Sequence, residues 1–177
     1  MASAAADAGL VQCVEALSRL GPSARSVATL SRQRGALSRR VRDAVAAAIA
    51  ASGAAGSPDL LPDVERHASE HIAELLRLLG GGVVREFEFV RAFARRRAAQ
   101  RFPIEAALQA YRCMHPMLAV WVLAGARPTR ARDREQAQAL FAAMVTEYVS
   151  VIGIVFAAAY VAHASVLAEA EGDRRTE

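Results

Sequence analysis

The chain reads as an all-α protein, and three observations carry that reading. Apolar residues recur at intervals of three and four through most of its 177 residues, strand-like alternation is nearly absent, and Gly and Pro cluster where helices would stop. The expected architecture is a bundle of about six helices with a long one at the C-terminal end.

A first helix is predicted from about Ala6 to Leu20, stopped by Gly21-Pro22. A second is predicted from about Ser23 to Ser52, with Gly35 as a point of interruption. Arg25, Arg32, Arg39 and Arg42 fall near one another on it and read as a solvated face in preference to an anion or nucleic-acid surface. Gly53 to Pro62 has the Gly, Ser and Pro density of a loop. Asp63 is placed to cap a helix that runs through Leu79, and Gly80-Gly81-Gly82 ends it. That triple glycine is a helix-to-helix turn and not a phosphate loop, because no strand precedes it and no Lys-Ser/Thr follows.

Two helices then flank Phe102-Pro103. Pro103 disfavours the α conformation at Phe102, yet it starts the next helix without losing a hydrogen bond, so Phe102 is a candidate core plug at the corner. The second of these helices is expected to end around Gly125 to Pro128, and the last to run from near Thr129 to about Glu171. Such a helix is long enough to project beyond a compact domain.

With 54% apolar residues the chain can bury a proper core. All 22 basic residues are arginine, and neither Lys nor Asn occurs, which excludes Schiff-base chemistry and a P-loop lysine. A net charge of +4 and a pI near 9.8 come from arginines scattered among 18 acids rather than gathered in a stripe, which is poor support for nucleic-acid binding. Cys13 and Cys113 lack the spacing of a disulfide framework or zinc site and read as buried free thiols in a reducing cytoplasm. The N-terminal segment lacks the basic and apolar regions of a signal peptide, so a cytoplasmic location is expected.

Tyr148 to Ala168 carries no formal charge over about the length that spans a bilayer. It is rich in Ala, contains Ser150, Gly153, His163 and Ser165, and has no Arg-rich flank adjoining its N-terminal end. The reading preferred over a membrane span is a helix buried between its own core and a partner. Tyr148, Ile152, Val155 and Ala159 are the expected seam of a homodimer.

His67 and His71 lie four apart on one helix face, with Glu70 and Glu74 close by. Ala68 stands where a zincin has its Glu, and no third ligand is evident, so the expectation is a partly exposed histidine pair and no metal. Tyr111, Arg112, His115, Trp121 and His163 are the candidate lining of an interhelical ligand pocket. The plainer alternative is a core histidine bonded to a carbonyl, to Tyr111 or to Tyr160. Pro116 removes the hydrogen bond to the carbonyl of residue 112 and offers a kink there. Arg95-Arg96-Arg97, with Arg91 and Arg101, wrap around a helix as a partner-protein surface or a solvated face. No Ser-His-Asp order, paired carboxylates or nucleotide turn stands out; neither an enzyme nor a cofactor is expected.

The run Phe89-Val90-Arg91, Ala94-Arg95-Arg96-Arg97-Ala98, Phe102-Pro103-Ile104-Glu105-Ala106-Ala107-Leu108, Ala110-Tyr111-Arg112 and His115 resembles the N-terminal regulatory domain of PucR/CdaR-type bacterial transcriptional regulators. That domain is similar to the N-terminal domain of the RsbT co-antagonist (RsbRD) proteins of the stressosome. The resemblance covers roughly residues 36–177 and leaves 1–35 as an N-terminal helical extension. It implies a globin-like, non-haem helical dimer that senses a metabolite or a partner protein and passes the change along the last helix without touching DNA. In that family the chain continues into a middle domain and a helix-turn-helix, so the resemblance implies a domain boundary at Gly172-Asp173-Arg174-Arg175. Three other readings stay open: a stressosome-like scaffold without a small-molecule ligand, a membrane-anchored regulator, and a haem sensor with His115 or His163 as axial ligand.

Overall fold

The structure is a computed structural model that describes residues 2–51 and 60–176. Among these residues there are seven α-helices: α1 (Ala2–Leu20), α2 (Ala24–Arg32), α3 (Arg34–Ala51), α4 (Leu60–Leu79), α5 (Glu88–Ala99), α6 (Ile104–Gly125) and α7 (Arg134–Thr176). The expected all-α bundle with a long last helix is what the chain forms. α7 packs along α1, α5 and α6, and α3 lies against both α4 and α6. One continuous core joins all seven helices.

The expected second helix is two. The break falls at Gln33 rather than Gly35, with the Gln33 N–H still donating to the Leu30 carbonyl. α4 begins at Leu60, so Asp63 lies inside its first turn and is not the cap. The loop expected over 53–62 lies largely outside the described residues. Phe102 is buried at the corner as expected. α5 stops at Ala99, and the corner closes because Arg101 takes a left-handed φ of 53° while the N–H of Phe102 donates to the Arg97 carbonyl. Cys13 and Cys113 are free but only half-buried, not fully buried.

The first 35 residues, expected as an extension, contribute Leu10, Val14 and Leu17 to the core. Their corner is stitched to the one before α7 by an isolated bridge between Pro22 and Pro128. Ser23 N–H donates to the Arg127 carbonyl at 2.8 Å, and both the N–H and the hydroxyl of Thr129 donate to the Gly21 carbonyl. α2 and α6 approach so closely that a Cβ at Gly125 would overlap Leu30.

By length and composition α7 is long and apolar enough to cross a membrane. Tyr148, Val151, Ile152, Val155 and Phe156, inside its uncharged segment, are buried in the helical core. A bilayer crossing by that segment would pull them out.

Candidate functional site

α4 is strongly amphipathic, and its buried stripe of Val64, His67, Ala68, His71, Ile72 and Leu75 carries two histidines at apolar positions. The expectation of a partly exposed pair is therefore corrected: His67 and His71 are both inside the core. The two Nε2 atoms lie 2.9 Å apart. His71 Nδ1 is 2.7 Å from the Tyr148 hydroxyl on α7, and His67 Nε2 is 2.9 Å from the Tyr111 hydroxyl on α6. His67 Nδ1 reaches the Glu70 carboxylate at 3.3 Å, at the edge of solvent.

One assignment of the protons satisfies these contacts with Glu70 ionised. An ionised Glu70 can only accept, so His67 donates from Nδ1 and accepts at Nε2; His71 then donates from Nε2, and its Nδ1 accepts from Tyr148. Tyr111 donates to His67 Nε2 as well, so two donors share one lone pair. Burial pushes the His67 pKa down to about 3, helped by Arg96, Arg97 and Arg66, and burial likewise holds His71 well below its usual value. Burial also raises both tyrosines well above theirs. The four side chains form a neutral polar strut between α4, α6 and α7.

The arginines act through a second buried assembly. Phe93 of α5 stacks on His67 with centroids 3.9 Å apart, and the Arg97 guanidinium lies 4.9 Å from the Phe93 centroid. Arg97 is buried and donates to Asp63, which Arg66 also contacts and Arg96 approaches at 3.4 Å. Among the described residues Arg97 Nε has no partner, and burial together with Arg96 and Arg66 lowers the Arg97 pKa to about 10. Asp63 is thus the counter-ion that lets a cation sit beside the neutral histidine.

Among the described residues no three His, Cys, Asp or Glu side chains are grouped to hold a metal. The His67 and His71 Nε2 atoms face each other rather than a common point. The cavity beside His67 and Tyr111, walled by Val41, Val45, Phe93 and Met114, measures only about 30 Å³. That is room for one water, not for a metabolite or a haem.

The family model of the RsbT co-antagonist protein rsbRD N-terminal domain matches residues 35–175. This chain belongs to that family. No curated protein and no solved structure matches it. The match spans α3 to α7, so α1 and α2 of this RsbRD-type domain precede the family segment.

The five residues expected to line one pocket do not converge in the RsbRD-type domain. Tyr111 belongs to the histidine strut. Trp121 instead donates from Nε1 to Gln33 Oε1 at 3.0 Å, on the α2 side of α6. Arg112 is exposed beside Gln109, His115 is half-buried on α6, and His163 lines a different groove, between α5 and α7. Tyr160 donates to the Phe102 carbonyl at 2.6 Å rather than to a histidine.

The stripe expected to form a dimer seam faces inward instead. Tyr148, Ile152 and Val155 are buried inside the protomer and Ala159 is half-buried, because this stripe of α7 faces its own core. The outward stripe is Ile154, Ala158, Val161, Ser165 and Ala168, all exposed and spaced four, three, four and three apart. Val161 is 57% exposed. The basic cluster beside it is paired: Arg91 with Glu86, Arg95 with Glu88, and Arg101 with Glu171 on α7.

Sequence reasoning missed the strut and the Asp63–Arg97 pair. One signal was present: His67 and His71 occupy the apolar stripe of α4, where a polar side chain has to find buried partners.

Proposed function

We propose that the chain is a non-enzymatic, cytoplasmic regulatory domain that dimerises through the distal half of α7 and transmits signals along that helix. The observation that carries this reading is the outward stripe Ile154, Ala158, Val161, Ser165 and Ala168. Its alternating spacing of four and three is that of a two-helix seam, and its small side chains permit close approach. A second copy of the same helix is the natural complement, since the stripe carries no charge that calls for an opposite one. Two packings of that seam, biased by whatever binds elsewhere on the domain, supply the switch.

The finer reading is the signalling domain of a PucR/CdaR-type transcriptional regulator, supported by the motif around Phe102-Pro103. The alternative is a stressosome-like scaffold, favoured by the filled core around Tyr111. Both use the same α7 seam.

A cysteine introduced as Val161→Cys, with Cys13 and Cys113 changed to Ser, tests the seam. Under mild oxidation the variant is expected to form a disulfide-linked dimer; a cysteine placed on exposed Gln136 is expected to remain monomeric in the denaturing gel. Equal cross-linking at both positions overturns the proposal.

A further inference from the structure

We infer that a small organic monocarboxylate with a compact apolar body binds where the N-terminal helices meet α6. This inference is independent of the α7 seam. A groove of about 590 Å³, a size suited to a small-molecule ligand, lies between α2, α3 and α6. It is lined by Met117, Val120 and Trp121 of α6, by Gln33, and by Arg40 and Arg127.

Four observations bear on what fits there. No acidic side chain lines the groove, and among the described residues neither Arg40 nor Arg127 makes an ion pair. Arg40 and the N–H groups of Arg127 not given to the α6 carbonyls, beside an apolar lining, select an anion joined to an apolar body. Gln33 holds the Trp121 indole, and Arg127 donates to the Leu123 and Ala126 carbonyls at the end of α6. Val120, in the groove lining, is 68% exposed, an apolar surface left open to solvent.

Part of the lining lies outside the segment that matches the family model. Gln33 precedes the family segment, and the bare Gly125 is what lets α2 approach α6 closely enough to close that side. Helix α2 thus does more than fill the core; Thr29 and the following Gln33 supply lining that α3 and α6 alone leave out.

Trp121 is the single tryptophan of the chain, so its emission reports directly on the groove. The experiment titrates the full chain with phenylacetate, phenethyl alcohol and phenethylamine, following emission and, on the same solutions, heat by calorimetry. Phenylacetate is expected to give a saturable change, the alcohol a weaker one and the amine the weakest. Arg40→Gln, an exposed change that breaks no ion pair, is expected to weaken phenylacetate about fivefold and to leave the alcohol unchanged. The inference is overturned by no saturable signal in either readout, by equal binding of the three probes, or by an Arg40→Gln titration identical to the parent.

Discussion

His67 Nε2 and His71 Nε2 lie 2.9 Å apart, one helical turn from each other inside the core, so one ring must donate and the other accept. The Glu70 carboxylate decides the direction, and the proton order then runs from Tyr148 through His71 to His67.

That order predicts unequal costs for two similar substitutions. Tyr148→Phe strands the buried His71 Nδ1 lone pair and is expected to cost about 1–3 kcal/mol. Tyr111→Phe removes one of two donors sharing the His67 Nε2 lone pair, leaves it satisfied by His71, and is expected to cost less than about 1 kcal/mol. Urea unfolding of the two variants checks the ranking; a larger loss for Tyr111→Phe would show that the proton order is wrong.

Acid should destabilise the domain through the same pair. Folding lowers the His67 pKa from 6.5 to about 3 and lowers that of His71 as well, so the unfolded chain binds more protons in that range. The His67 contribution is fully present above about pH 6.5 and is lost as pH falls toward about 3, at roughly 1.4 kcal/mol per pH unit, and the lowered His71 acts in the same direction. Denaturation midpoints from pH 8 to pH 4 should therefore fall in the parent and fall less steeply in His67→Leu. Equal slopes would remove the histidines from the acid response.

The buried Asp63–Arg97 pair should behave as a unit. Asp63→Leu leaves Arg97 buried without its counter-ion and is expected to cost about 3–5 kcal/mol. The double variant Asp63→Leu with Arg97→Met removes the stranded charge and should recover much of that loss. A double variant as unstable as the sum of the two singles would show that the side chains do not depend on each other.

Much of the fold was legible because glycine and proline punctuate it. Gly21-Pro22, Gly80-Gly81-Gly82 and Phe102-Pro103 mark corners that the structure keeps. The break at Gln33 was not legible, since its side chain is committed to Trp121, a long-range contact that no local propensity encodes. The outward stripe of α7 was legible in spacing but not in direction: Tyr148, Ile152, Val155 and Ala159 repeat at the same intervals as the exposed stripe beginning at Ile154. In a helix apolar on every side, periodicity does not say which stripe faces the core. The histidine strut depends on Tyr111 and Tyr148 arriving from two other helices, so only its α4 half is written in one segment.

The central claim is that the exposed stripe of α7 joins two copies of the chain. Light scattering on the purified chain measures this directly, with Val161→Glu as the paired sample and circular dichroism confirming equal helix content. The account predicts twice the 18.8 kDa chain mass for the parent and a single chain mass for Val161→Glu. A monomeric parent, or a Val161→Glu variant that stays dimeric, would contradict it.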